Sequence, residues 1–501
     1  MDQSNIEEQK YGRCIGCKQI STSLLCYTCD SLFKERKSGK CIVCKQIKQK
    51  AKGTRTCHTC YSTSLEQKYG KCIECKQINT GIDWCQTCNS KRFQQNFNNW
   101  TSNNDDIDKF IQNIQLSARN KYQLLEWIPY DRFSEVVYVA KGGFGKVYKA
   151  IWQDGKISHW DVSKNQWERN SVRMHVALKS LNDSQNLKSQ FIKEITSQLK
   201  IVEDRPLNQF IRCYGISQDP NTKEYIMVMK FADWGGLRNY FDKKEKYEKK
   251  SREENILYLK LRRKIIVMNC IATGLKRIHV KGLIHRDLHT GNIVCFKSMI
   301  CITDMGLCKP ANYEELENSE NNAYGVLPYV APEVLRGEHY TQASDIYSFG
   351  IIMYEAISEM PPYYDINHDE VLAVEICKGL RPNFNIKVPQ LIIELIKKCL
   401  DAKPSNRPNA KDLSRIFKEL MIDFNRRKPE LIKQIEEISN SLSDLPSINK
   451  MNTMHSGAIY TSRLLSFKNL PEPKNSDDYY EYFDNITSMK YSECLDCEVK
   501  D

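Results

Sequence analysis

The chain has 501 residues, 41% apolar and 27% charged, the make-up of an ordinary folded protein. No apolar run approaches the roughly 20 residues of a membrane helix, which excludes a helical membrane anchor. The formal charge of +12 is concentrated at the front, where residues 1–100 hold 17 Lys/Arg against 8 Asp/Glu. The polar start has no signal-peptide core, and the last residues, Cys497 to Asp501, fit no prenylation motif. These features predict a soluble cytoplasmic protein, with the nucleus as the second location, and a reducing environment in which disulfides are rare.

Twenty-one cysteines stand in the chain, and twelve form C-x-x-C pairs before residue 89. The pairs are Cys14/Cys17, Cys26/Cys29, Cys41/Cys44, Cys57/Cys60, Cys72/Cys75 and Cys85/Cys88. The phrase from Tyr11 to Ile20 is nearly restated from Tyr69 to Ile78, with a middle copy beginning at Gly39. Residues 11–92 therefore read as three tandem modules with two pairs each. A C-x-x-C turn presents two thiolates to one metal ion, and two turns close a four-sulfur zinc site. Three structural zinc ions are predicted, in zinc-ribbon-like modules. Such small modules depend on metal binding worth about 10–16 kcal/mol to fold. Disulfide, redox and iron–sulfur readings fit a chain with nine further cysteines less well. Each four-thiolate site carries two negative charges, which would cut the front-end surplus of positive charge by six. Nucleic acid is then an unlikely partner, and a protein-docking array is expected. Tyr27, Phe33, Tyr61, Trp84 and Phe93 are expected to wall off the zinc cores. His58 reads as a surface residue and not a ligand.

Residues 93–132 read as a linker with one short helix, in which Ile107, Phe110, Ile111 and Ile114 recur at helical spacing. From 133 to 424 the pattern is richer. Gly142-Gly143-Phe144-Gly145-Lys146-Val147 is a glycine-rich turn, whose backbone N–H groups can approach phosphate oxygens. Val176-Ala177-Leu178-Lys179 places a lysine in an apolar strand, where it needs a carboxylate. Leu187, Phe191, Ile195 and Leu199 mark a helix with a buried stripe, and Glu194 flanks it. Between strand and turn, residues 151–172 read as an inserted polar hairpin holding Trp152, Trp160 and Trp167. Ile284-His285-Arg286-Asp287-Leu288 follows, with Asn292 five residues beyond Asp287, and then Thr303-Asp304-Met305-Gly306. Phosphoryl transfer to a hydroxyl needs a carboxylate for the hydroxyl proton and oxygen ligands for magnesium, and these spacings supply both.

In order and spacing these motifs resemble the protein kinase superfamily, closest to its tyrosine-kinase-like group. The resemblance implies an α+β bilobal fold, with a small β-rich lobe and a large helical lobe. It implies ATP as phosphate donor, bound by Gly142, Gly143, Gly145, Val147, Ala177, Lys179, Met229 and Phe231. It implies Mg2+ on Asn292 and Asp304, Asp287 as catalytic base, and a Lys179–Glu194 ion pair. Arg286 would receive an activation-loop phosphate, with Ser319 and Tyr324 as candidate carriers. Glu333 would pair with Arg407, and Asp345 would hold the catalytic-loop backbone. The pattern departs from the family at Ala140, where a glycine is usual, and at Met305, in a phenylalanine slot. It also departs at His289 and Gly291, where Ser/Thr kinases and Tyr kinases respectively carry lysine and arginine. His289 could donate to the γ-phosphate or face solvent. The expected function is transfer of the ATP γ-phosphate to protein hydroxyls, Ser/Thr before Tyr. The alternative is a pseudokinase or scaffold that binds partners through the zinc array.

Residues 425–445 have helical spacing in Leu431, Ile432, Ile435 and Ile438. Residues 446–501 read as a disordered tail, with an apolar-basic island from Tyr460 to Pro471 that suits a docking peptide. This tail phrase together with a cysteine-rich front end is similar to an expanded group of fungal kinases.

Overall fold

The structure is a computed structural model. It describes residues 12–13, 20–21, 57–141, 145–181, 188–201, 210–248, 256–297, 299–310, 323–384, 388–429, 433 and 454–477. The chain divides into two compact units. One holds residues 1–99, 112–121 and 157–168; the other holds 100–111, 122–156 and 169–501. No helix among the described residues is long and apolar enough to cross a membrane.

In the first unit, helices His58–Tyr69 and Gln86–Gln95 each start immediately after a cysteine, Cys57 and Cys85. Trp84, just before the second of these helices, and Phe93, within it, are buried. The inserted hairpin supplies their packing partner: the Trp167 ring stacks 4.6 Å from Phe93 and 5.8 Å from Trp84. The Arg92 guanidinium lies over Trp160 of the same hairpin. The Trp84 indole N–H donates to the Ala118 carbonyl at 2.9 Å, which satisfies its one buried polar atom. Trp152 does not belong to this hairpin, contrary to expectation. It ends a strand of the second unit and is buried in the sheet core.

The second unit has the bilobal α+β architecture. Its small lobe is a six-stranded sheet, in the order Glu126–Trp127, Cys213–Gln218, Tyr225–Lys230, Met174–Leu181, Gly145–Trp152, Phe133–Lys141. All neighbours are antiparallel except the first pair. Alternation sorts the side chains: Ala150, Trp152, Val176, Leu178, Ile226 and Val228 form an apolar core on one face. Helix Lys188–Ile201 buries Phe191 and Ile195 completely. Leu187, expected to begin that stripe, lies outside the described residues.

The large lobe is built on helices Ile256–Val280, Gln342–Ser358 and Ala410–Asn425, packed into one apolar core. Helix Gln342–Ser358 is buried along nearly its whole length and starts with a capping box between Thr341 and Ser344. The Glu333 carboxylate receives both guanidinium ends of Arg407, at 2.7 and 2.8 Å, in a buried parallel fork.

The helix expected at 425–445 falls almost wholly outside the described residues. Residues 454–477 are not the loose tail expected of them. They run over the large lobe, and Arg463–Leu465 forms a strand antiparallel to Ala323–Gly325. Leu465 and Leu470 are buried in the large-lobe core, apolar anchors that a composition-based reading of a polar tail averages away.

Candidate active site

Sheet register brings several of the expected nucleotide-lining residues onto one face. Val147 stands opposite Lys179, and Met229 stands opposite Ala177, on three neighbouring strands. Cross-strand partners share a face, so Val147, Ala177, Lys179 and Met229 all project to the side away from the apolar core. Phe231 follows the end of its strand, with the Lys149 ammonium 5.3 Å from its ring centre. Gly145 begins its strand and is buried, whereas Gly142 and Gly143 lie outside the described residues.

Lys179 and Glu194 are both buried, and their charged ends lie 2.9 Å apart. The same ammonium lies 3.0 Å from Asp304 Oδ1. Burial works against a charge on Lys179, but Asp304 and Glu194 more than offset it and hold the ammonium above its ordinary range. Gly306 completes this corner: a Cβ there would meet Glu194 Oε2 at 3.2 Å and Asp304 Oδ1 at 3.4 Å.

The catalytic-loop segment is held from below by one carboxylate. Asp345 accepts the His285 N–H at 2.8 Å, the Arg286 N–H at 3.0 Å, and contacts His279 Nε2 at 2.9 Å. Arg286 and Asp304 have positive φ, 74° and 61°. Such conformations cost about 1–3 kcal/mol each in non-glycine residues and persist where surroundings over-determine them. For Arg286 the surroundings include Asp345 and the Tyr340 ring, 4.5 Å from its guanidinium. His285 ties the loop to the next segment: Nε2 donates to the Thr303 carbonyl at 3.0 Å. The Thr303 N–H in turn donates to the Asn292 carbonyl at 2.9 Å, which sets Asp304 beside Asn292. Asn292 Nδ2 donates to the Asp287 carbonyl at 2.8 Å and approaches Asp287 Oδ2 at 3.3 Å. Lys179, Glu194, Asp304, Asn292 and Asp287 thus form one connected set.

The pair Asn292 and Asp304 suits magnesium. Its oxygens are hard donors, and the Asn292 amide nitrogen is already engaged by the Asp287 carbonyl, which leaves the amide oxygen for a metal.

Asp287 is 5% exposed. Burial alone would raise its pKa. The hydrogen bond and charge of His289, the Ser462 hydroxyl and His285 outweigh burial and hold the carboxyl below its usual range. His289 does not face solvent. It is buried, and the Gly291 N–H donates to its Nδ1 at 3.2 Å, while Nε2 faces the catalytic carboxylate. That nitrogen lies 3.1 Å from Ser462 Oγ and 3.7 Å from Asp287 Oδ2.

Two features of the site had little local signal. Glu355, buried in helix Gln342–Ser358, binds Arg238, the Tyr329 hydroxyl and the Thr290 hydroxyl together. It braces Thr290 in the catalytic loop, and only the three-dimensional fold gathers those residues. Ser462 belongs to the apolar-basic island, but its contact with Asp287 depends on strand register. Of the candidate phosphate carriers, Ser319 lies outside the described residues. The Tyr324 hydroxyl donates to the Ser462 carbonyl at 3.3 Å.

In the first unit, Cys72, Cys75, Cys85 and Cys88 bring their sulfurs within 4.8 Å of one another. Cys72 and Cys88 lie 3.8 Å apart, and Cys75 and Cys85 lie 3.5 Å apart. A zinc ion with Zn–S bonds of about 2.3 Å sets tetrahedral sulfur separations of about 3.8 Å, so the cage has the right size. The first pair sits in a turn closed by Cys72 and Gln77, and the second in the opening turn of a helix, whose N-terminus favours thiolates. The backbone of Gln77 pulls Cys75 down to about 7, while burial pushes Cys85 and Cys88 up. Cys57 and Cys60 open their own helix in the same way. Cys14, Cys17, Cys26, Cys29, Cys41 and Cys44 lie outside the described residues.

Comparison with known proteins agrees with this geometry. The family model for protein tyrosine and serine/threonine kinases matches residues 135–417. A probable serine/threonine-protein kinase of Dictyostelium discoideum is 26% identical over 278 residues, 55% of this chain and 18% of that protein. A probable LIM domain-containing serine/threonine-protein kinase of the same organism is 28% identical over 283 residues, 56% of this chain and 26% of that protein. The human serine/threonine-protein kinase Nek10 is 25% identical over 324 residues, 64% of this chain and 25% of that protein. The chain thus covers about a quarter or less of the length of these three relatives. With more than half of its residues matched by that family model, the chain belongs to the protein tyrosine and serine/threonine kinase family.

Proposed function

We propose that this chain is an ATP-dependent protein kinase that phosphorylates serine and threonine hydroxyls. The observation that carries the proposal is the connected set from Lys179 and Glu194 through Asp304 and Asn292 to Asp287. ATP would lie under the sheet face of Val147, Ala177 and Met229, with Lys179 on its phosphates and Glu194 fixing the lysine. Asn292 and Asp304 would hold magnesium, which neutralises charge between the phosphates. Asp287, held below its usual range by His289 and its other neighbours, would take the proton of the attacking hydroxyl. Serine rather than tyrosine is supported by the Ser462 hydroxyl, which reaches Asp287 from an extended strand, and by the relatives being serine/threonine-protein kinases by name.

The four-sulfur cage of Cys72, Cys75, Cys85 and Cys88 holds a structural zinc ion in this reading, and the two preceding cysteine quartets hold two more. The array docks protein partners. The protein works in the cytoplasm or nucleus, on protein substrates.

The test is transfer of labelled phosphate from ATP to casein by the full chain, with phosphoamino-acid analysis of the product. Phosphoserine or phosphothreonine is expected. Phosphotyrosine alone contradicts the acceptor assignment, and ATP binding without transfer to any acceptor contradicts the enzyme reading.

A further inference from the structure

The Ser462 hydroxyl sits where an acceptor hydroxyl must sit. Its Oγ lies 2.9 and 2.7 Å from the two carboxylate oxygens of Asp287, and 3.1 Å from His289 Nε2. The residues around it are laid out as a bound peptide. Arg463–Leu465 adds a strand to Ala323–Gly325, with Gly325 opposite Arg463 and Ala323 opposite Leu465. Strand addition supplies main-chain bonds, while pockets for alternate side chains supply selectivity. Leu465 fills the apolar pocket, and Leu464 between the two is exposed.

The flanks are clamped. Before Ser462, the Ile459 N–H donates to His368 Nδ1 at 3.1 Å, and the Tyr460 hydroxyl donates to the Pro362 carbonyl at 2.9 Å. After it, Arg336 forks onto Glu472, the Ala402 N–H donates to Asn475 at 2.7 Å, and Lys397 pairs with Asp477 at 3.0 Å. These anchors lie on both sides of the reacting serine, so the segment is held across the groove rather than touching it at one point.

We propose that Ser462 is phosphorylated in cis by its own catalytic domain, and that the unmodified tail blocks the peptide groove until this happens. The inference rests on the kinase reading above. A tail that only blocked the groove would have no use for a hydroxyl pointed at the base; here one is bonded to it. In the transfer, Ser462 Oγ forms a bond to the γ-phosphorus of ATP, and the bond from that phosphorus to the β,γ-bridging oxygen breaks. The serine proton passes to Asp287, and ADP leaves. The product carries close to two negative charges beside a buried carboxylate, and like-charge repulsion and desolvation then drive the strand out. The vacated groove becomes open to other substrates. Those substrates should share the pattern of the tail: a serine in an extended segment, a basic residue next, and an apolar residue three positions beyond the serine.

The experiment incubates the purified full chain with ATP, Mg2+ and casein, follows phosphosites by mass spectrometry, and repeats the time course on dilution. Ser462 phosphorylation with a rate constant unchanged on dilution is expected, and casein labelling should accelerate as Ser462 fills. Ser462→Ala should remove both the tail phosphate and the acceleration. Leu465→Asp, which puts a charge in the buried pocket, should label casein from the outset without a lag. A Ser462 that stays unmodified while Leu465→Asp labels casein overturns the proposal and leaves the kinase reading standing. A rate that falls in proportion to dilution overturns the cis assignment, and a casein rate indifferent to Ser462 occupancy overturns the release step. If neither the wild type nor Leu465→Asp labels any acceptor, the kinase reading falls and the proposal with it.

Discussion

The Lys179 ammonium stands 3.0 Å from Asp304 while also bonded to Glu194, so one buried cation holds two carboxylates together. Replacing Lys179 by Met leaves those carboxylates facing each other without compensation. Breaking a buried pair in this way costs about 3–5 kcal/mol, and the loss should appear in urea unfolding of Lys179→Met. Adding Asp304→Asn to that variant removes one of the stranded charges and should recover part of the loss. Equal stability of the single and double variants would mean that the two groups are not coupled.

The Glu333–Arg407 fork is structural. Arg407→Ala strands a carboxylate that is 4% exposed and should cost about 3–5 kcal/mol in chemical unfolding. Arg407→Lys keeps the charge but gives up the parallel pair of bonds, a loss of about 1.5–3 kcal/mol. A lysine variant as stable as the wild type would show that charge alone matters there.

Asp287 is held below its ordinary range, which fixes the sign of its pH dependence. A carboxyl with a depressed folded pKa stabilises the protein above its unfolded value of about 3.9. That contribution declines below this value and is gone once pH falls through the folded pKa. The stability difference between wild type and Asp287→Asn should therefore be constant from neutral pH down to about 4, then change on further acidification. A change confined to neutral pH would contradict the assignment.

His368 is shifted down by burial, against the opposing pull of the Ile459 and Tyr363 backbone bonds; Arg463 adds to the lowering and Asp369 opposes it. Its Nδ1 accepts the Ile459 N–H at 3.1 Å when the ring is neutral and lies 2.9 Å from the Ile459 carbonyl, to which it donates when protonated. The stability contributed by keeping His368 neutral should be complete above its unfolded pKa of about 6.5 and decline as pH falls below it, and the Ile459 N–H loses its acceptor as the ring protonates. Hydrogen exchange at the Ile459 amide should accelerate on acidification relative to the intrinsic rate. Unchanged protection through this range would contradict the prediction.

The cysteine cage predicts metal content. Wild-type protein should carry three zinc ions, and a Cys72→Ser, Cys75→Ser variant should carry two, by elemental mass spectrometry. Chelation should unfold the helix Gln86–Gln95, because folding and metal binding are linked in modules this small. A metal-free wild type with that helix intact would remove zinc from the account.

How much of this was legible in sequence differs residue by residue. Lys179 and Glu194 could be read because a lysine in an apolar strand requires a partner, and helical periodicity placed one within reach. Asp287, Asn292 and Asp304 sit in short local motifs whose spacing mirrors the chemistry. Glu355 could not be read: its partners Arg238, Thr290 and Tyr329 are scattered along the chain, and one glutamate in an apolar helix has no local signature. Trp167 was visible as an aromatic in a polar insertion, but its stacking on Phe93 depends on which unit the hairpin joins. Ser462 was hidden for a related reason. Composition marks the tail as polar, whereas two leucines and a strand register decide where it lies.

The most direct test of the central claim compares wild type and Asp287→Asn for two quantities together: ATP affinity and phosphate transfer to casein. The account predicts unchanged ATP affinity and loss of transfer in the variant. Transfer that survives at the wild-type rate would remove Asp287 from the reaction and contradict the account.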